Sequence, residues 1–160
     1  MDDNIREHSP ERIAEVIHGK EEIASAATPA EIIRIMRRKV DTLNRPALVE
    51  KAVEMEAEVV PEIVRRLKTN LNDEFIEVSL QFLVRSRIDV SEEIIGYFDE
   101  MRNPYAQSVV LVLLGFKADE KYIPWFIEKH DSLKKRYPRE NYYQGAFYAL
   151  TEMESRFYLQ

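Results

Sequence analysis

The sequence predicts an all-α fold of stacked antiparallel helical hairpins. Three observations carry that expectation. An apolar pair, two spacers and a further apolar residue recur as Ile63-Val64-x-x-Leu67, Ile94-Ile95-x-x-Phe98 and Ile123-Pro124-x-x-Ile127, at offsets of 31 and 29 residues. A second stripe runs in phase between them: Phe75, Ser79, Phe82 and Leu83, then Ala106, Val110, Leu113 and Leu114, then Tyr142, Ala146, Ala149 and Leu150, with a looser copy at Leu48, Ala52 and Met55. No segment alternates apolar and polar residues over strand length between turn dipeptides. Two helices per period, repeated, describe an array in which each unit buries its apolar face on the next.

Helices are expected at 10–18, 20–26, 29–43, 46–57, 60–70, 73–86, 91–102, 104–116, 120–136 and 140–158. Ser9-Pro10 opens the first with an N-cap hydroxyl and a proline whose missing N–H costs nothing there. Gly19 is expected to close it through a left-handed cap. Thr28-Pro29-Ala30-Glu31 is a capping box, and Ile32, Met36, Val40 and Leu43 form the stripe behind it. Asn72-Asp73, Asp89 to Ser91, Asn103-Pro104 and Ala118-Asp119 are polar starts for the later helices. Helix 104–116 contains the longest apolar run, Val109 to Leu114, and should be the most buried element. Short connections make consecutive helices antiparallel neighbours.

With 160 residues, 45% apolar and 32% charged, the chain is expected to form one domain with a real core. Residues 1–45 read as an N-terminal cap, 46–158 as repeats with a closing helix. There is no Cys, which excludes disulfides, thiolate metal sites and a cysteine nucleophile. The opening Met1-Asp2-Asp3-Asn4 has no apolar leader, and no run approaches the ~18 residues of a membrane span. A cytoplasmic protein is expected. The net charge of -6 argues against general affinity for phosphate backbones.

The hairpin period, the prolines inside second helices (Pro61, Pro124) and the Ala149-Leu150 ending of a first helix resemble HEAT and armadillo repeats over roughly residues 46–158. The resemblance implies a right-handed superhelix whose second helices line a concave face. It implies a scaffold or adaptor binding proteins or peptides, with nucleic-acid binding and enzymes as rarer uses of such folds. The chain departs from the strong consensus: its spacings are uneven, and the Asp and Arg of the intra-repeat turn are not regular. DNA glycosylases and bilin lyases of HEAT-like fold share no functional residue with this chain. No cofactor is implied.

With Ile63, Val64 and Leu67 inward, rotation places Glu62, Arg65 and Thr69 outward. The equivalents are Glu93, Gly96 and Glu100, then Tyr122, Trp125 and Lys129. A partner protein or peptide is therefore expected on Arg65, Glu93, Tyr97, Tyr122, Trp125 and Lys129, since aromatic anchors dominate interface energetics. Trp is also highly buried on average, and packing of Trp125 under helix 140–158 is the favoured reading. All 16 aromatic residues follow residue 74. They are read either as a C-terminal core containing Phe98, Phe126 and Phe147 or as an aromatic groove. Eight Tyr exceed what a core accommodates, because each buried hydroxyl needs a partner.

Lys134, Lys135, Arg136 and Arg139, beside Tyr142 and Tyr143, form the best basic-aromatic cluster, of the kind that clamps phosphates and stacks bases. Cations also suit a helix C-terminus, and the acidic total favours that plainer reading. Alternating acidic and basic blocks elsewhere read as solvated faces and bridges between hairpins. Catalytic signals are poor. His8, His18 and His130 have no metal-ligand spacing, His18 and His130 are expected near helix C-termini, and the adjacent pairs Glu7-His8 and His130-Asp131 are not expected to face each other. No metal site is predicted. Tyr142, Phe147, Phe157 and Tyr158 on the terminal helix could support self-association.

Overall fold

The computed structural model describes residues 9–159. The expectations placed on Met1 to Asn4, on Glu7 and on His8 lie outside the described residues. Nine α-helices follow one another, with no strand among the described residues. They are α1 (Pro10–Ser25), α2 (Pro29–Met36), α3 (Arg45–Glu54), α4 (Glu56–Leu67), α5 (Asp73–Arg85), α6 (Ser91–Tyr97), α7 (Pro104–Lys117), α8 (Ile123–Arg136) and α9 (Gln144–Phe157). Short 3-10 turns, Phe98–Glu100 and Glu120–Tyr122, follow α6 and precede α8.

Polar starts work as the local chemistry requires. Ser9 accepts from the Arg12 N–H at 3.2 Å, Asn72 from Phe75 at 3.2 Å, Asn103 from Tyr105 at 3.0 Å and Asp119 from Lys121 at 2.9 Å. Thr28 accepts from the Glu31 N–H at 3.3 Å, while the Glu31 carboxylate turns back to the Ala27 N–H at 2.7 Å. Gly19 does not close a helix. It sits inside the continuous α1, and no described residue has positive φ. Its missing Cβ instead makes room for the Asn44 amide, whose Nδ2 donates to the Val16 carbonyl at 3.2 Å. Helix α2 stops at Met36, earlier than the stripe through Leu43 predicts, and Leu43 is 60% exposed. Asp41 replaces that last turn, accepting from Leu43 N–H and from the Arg12 guanidinium.

Helices of one parity pack on one another. Helix α1 touches α3, α3 touches α5, α5 touches α7, and α7 touches α9. The even helices form the other layer, beginning with α2 on α4. Within each layer the helices run parallel. Arg45 at the start of α3 pairs with Glu74 and Glu77 at the start of α5, at 3.1 and 3.3 Å. Ser86 after α5 accepts through its carbonyl from Lys117 at the end of α7, at 2.7 Å. On the other layer the Tyr97 hydroxyl, ending α6, donates to the Val64 carbonyl in α4 at 2.8 Å. These bonds join residues about one hairpin apart, so polar ladders stitch unit to unit along the chain.

The first two copies of Ile63-Val64-x-x-Leu67 behave as expected, with Ile63, Val64, Leu67, Ile94 and Phe98 buried and Ile95 half-buried. The third is out of register by one residue. Ile127 is 49% exposed, and Phe126 is fully buried in its place. A 3-10 turn, Glu120–Tyr122, stands where the expected helix 120–136 begins, and α8 starts only at Ile123. The second stripe holds at Leu48, Ala52, Phe75, Ser79, Phe82, Leu83, Ala106, Val110, Leu113, Leu114, Ala146 and Ala149, which are buried, while Met55, Tyr142 and Leu150 are half-buried. Among the described helix pairs, α7 and α9 pack most closely. Glycines permit this. A Cβ on Gly115 would lie 2.5 Å from Ala149 Cα, and one on Gly145 would meet the Ser108 carbonyl group. Phe147, expected in the core, points away from this seam and is 56% exposed.

Candidate interaction surface

The even helices carry the predicted ridge, and the structure divides its six residues. Arg65 and Glu93 are exposed, Tyr97, Tyr122 and Trp125 are half-buried, and Lys129 is only 8% exposed. The burial of Lys129 follows from the one-residue slip in α8, which rotates that helix relative to the repeat pattern. Its stem lies over apolar surface, and its ammonium stands 5.7 Å from the Trp125 ring centre and 5.9 Å from that of Phe98. The same ammonium donates to Asp99 at 2.9 Å. Trp125 packs edge-on against Phe98, with ring centres 5.1 Å apart, and equally against Phe126. It is thus not a free ridge residue; it joins the α6 unit to α8.

Tyr97 is held just as firmly. Its hydroxyl is committed to Val64, and Lys68 stands 6.0 Å from its ring centre. Burial pushes the Tyr97 phenol well above its ordinary value, and the Glu93 carboxylate adds to the shift. Next to it, Arg65 and Arg66 both reach Glu62, at 2.5 Å from Arg65 Nη2 and 2.8 Å from Arg66 Nε. The Arg65 hydrogen bond holds the Glu62 carboxyl below its ordinary value, with Arg66 contributing. Lys68 and Glu100 complete the row at 3.4 Å. The surface therefore has rigid aromatic edges set among paired charges. Gly96 on α6 is exposed, and a Cβ there would meet nothing within 4 Å.

The basic-aromatic cluster is assembled in space as well. Lys134, Lys135, Arg136 and Arg139 are exposed, and Tyr137, Tyr142 and Tyr143 are half-buried. Lys134 stands 5.4 Å from the Tyr143 ring centre and Arg136 the same distance from Tyr137. Tyr137 and Tyr142 meet edge to face at 5.3 Å. These side chains cover part of each other's stacking faces.

His18 and His130 lie in the middle of α1 and α8 rather than near their ends. His130 and Asp131 do meet, contrary to the expectation for adjacent helical residues, with Nδ1 and Oδ1 3.0 Å apart; the short carboxylate folds back along the helix surface. Among the described residues no carboxylate or imidazole is buried, and no three His, Asp or Glu side chains cluster as metal ligands. No described helix is long and apolar enough to cross a membrane.

Sequence reasoning missed an asparagine series. Asn44, Asn72 and Asn103 each precede an odd helix and donate Nδ2 to a carbonyl of the previous unit, Val16, Arg37 and Asn70 respectively. Their regular spacing of 28 and 31 residues is a signal that could have found them. Comparison with known proteins finds no family model that matches this chain, and no curated protein or solved structure similar to it.

Proposed function

We propose that the chain is a protein-interaction module, a right-handed superhelix of HEAT-like hairpins that holds a peptide segment or partner helix on the face of α4, α6 and α8. One observation carries the reading. Tyr97 and Trp125 are fixed in place by Val64, Phe98 and Lys129, yet each keeps part of its ring at the surface. Aromatic anchors that are already immobile lose little entropy on binding, which is the quality that makes hot spots. Charged residues surround them, as at the rim of a transient interface. A cytoplasmic setting is part of the reading, and cell fractionation tests it. A second copy docking on the exposed Phe147, Tyr148 and Tyr158 is compatible with it, and a concentration-independent monomer mass in light scattering would remove that addition.

The test is capture from lysate at moderate salt, with and without nuclease, using the wild-type chain and Gly96→Arg/Arg65→Glu. Both positions are exposed and neither supports the core. A discrete partner that survives nuclease and is lost in the variant supports the reading. Equal capture by wild type and variant removes this face from it.

A second reading, nucleic-acid binding at Lys134, Lys135, Arg136 and Arg139 with Tyr142 and Tyr143, draws on the nearness of Lys134 and Arg136 to tyrosine rings. Counterion release requires its affinity to fall steeply with salt. No binding of a single-stranded oligonucleotide at low salt would end it.

A further inference from the structure

We propose that the cleft between the C-terminal end of α2 and the α4–α5 turn binds an acidic peptide segment, its side-chain carboxylates seated on Arg34 and Arg37. This rests on the reading of the chain as an interaction module and names a partner chemistry for a part of it outside the aromatic ridge.

Arg34, Arg37, Arg38, Asn70 and Asn72 line a cavity of about 380 Å³. Arg34 and Arg37 also line an adjoining cavity of about 320 Å³, where Ile33 supplies apolar lining and Arg66 stands on α4. The ion pairs of the region leave two cations over. Arg38 is taken by Glu22, and Arg66 by Glu62. Among the described residues no carboxylate takes Arg34 or Arg37, although acids outnumber bases 29 to 23 in the chain. The floor is stiff. Asn72 donates Nδ2 to the Arg37 carbonyl at 2.8 Å and accepts from Phe75, and Asn70 Oδ1 accepts from the Asn72 N–H at 2.7 Å. That last bond leaves the Asn70 amide NH2 as a further uncommitted donor on the cleft wall.

Two forked guanidinium groups and an amide donor around one cavity match carboxylates, which accept such forks bidentately. A helix C-terminus favours cations by itself, and that accounts for basic residues near the end of α2. It does not account for their sharing a cavity with Asn70, which another unit supplies. A polynucleotide fits less well. No aromatic residue lines either cavity to stack its bases. Ile33 beside the arginines suits a peptide in which acidic and apolar side chains adjoin.

The probe is a fluorescein-labelled decaglutamate, titrated by anisotropy at low salt, with a single-stranded oligonucleotide titrated in parallel. Wild type should bind decaglutamate, and Arg34→Glu/Arg37→Glu should weaken it by about tenfold or more, as loss of complementary charge at a binding site does. Lys134→Glu/Lys135→Glu, compared with wild type at about 0.15 M ionic strength, should change it by less than about twofold, since charges beyond the Debye length of about 8 Å are screened there. Arg34 and Arg37 are exposed, and unchanged melting of the double variant by circular dichroism checks that its fold survives. Absent wild-type binding, or equal binding by the Arg34/Arg37 variant, overturns the proposal. Tighter binding of the oligonucleotide, lost in the same variant, overturns it in favour of nucleic acid. Gly96→Arg/Arg65→Glu separates the two levels: decaglutamate binding that persists there while partner capture is unaffected by the variant leaves the cleft standing and the aromatic ridge refuted.

Discussion

Three glycine-to-alanine substitutions should divide by sign. Alanine is favoured over glycine inside a helix by about 1 kcal/mol. At Gly96 no steric contact opposes that gain, because the added methyl meets open space. Gly96 is also next to the end of the seven-residue α6, so Gly96→Ala should raise stability by only part of that amount, about 0.5 kcal/mol. At Gly145 and Gly115 the methyl would press on backbone of the facing helix, at Ser108 and Ala149 respectively. Backbone cannot rotate away as a side-chain tip can, so α7 and α9 must separate by roughly an ångström, and overpacking of that kind costs about 1–3 kcal/mol. Both glycines lie near helix ends, where the propensity gain is smaller. Net destabilisation of about 1–2 kcal/mol follows for each. A chain of this size shifts its Tm by about 2–4 °C per kcal/mol. Thermal melting followed by far-UV circular dichroism should show Gly96→Ala above wild type and both others below it. A Tm raised by Gly145→Ala or Gly115→Ala would mean the two helices are not in backbone contact, and the reasoning would fail.

Ser79 offers a buried hydroxyl with no partner, so Ser79→Ala should be neutral or stabilising by up to about 1 kcal/mol in urea unfolding; a clear loss would reveal a partner. Lys129→Met keeps the buried stem and should be tolerated, whereas Lys129→Ala should cost about 1–2 kcal/mol and shift Trp125 fluorescence; equal costs would assign the role to charge rather than packing. The Arg12 hydrogen bond, helped by the Leu43 N–H, holds the Asp41 carboxyl below its ordinary value of 3.8. A lowered folded value means stability that is complete above the unfolded value and lost as pH falls through the folded one. The urea midpoint should therefore drop below about pH 4, and Asp41→Asn should flatten that part of the profile.

Much of the array was written in apolar spacing. Ile63, Val64 and Leu67, and Phe75 through Leu83, are buried because period and burial are the same fact in a helix. The third copy misled because Ile123-Pro124-x-x-Ile127 matches by residue type, while the turn before α8 makes Phe126 and Leu133 the core positions. Lys129 was read by its charge, and its four-carbon stem was overlooked. Gly19 looked like a stop because the partner that uses its space, Asn44, arrives from a different hairpin. The cleft at Arg34 and Arg37 was not legible at all. Asn70 meets those arginines only through the stacking of α4 on α2, and no local pattern encodes that meeting.

Parallel even helices also sort charge. Their starts carry Glu31, Glu56, Glu58, Glu92, Glu93 and Glu120, and most of their ends carry Arg34, Arg65, Arg66 and then Lys134, Lys135 and Arg136. The odd helices run the other way: Asp73 and Glu74 open α5, while Arg85 and Lys117 close α5 and α7. Each edge of the molecule therefore sets the acidic starts of one layer beside the basic ends of the other. A net charge of -6 is spread over such a body as a mosaic. A charged surface of either sign meets complementary groups on both edges, so long-range steering selects no single edge.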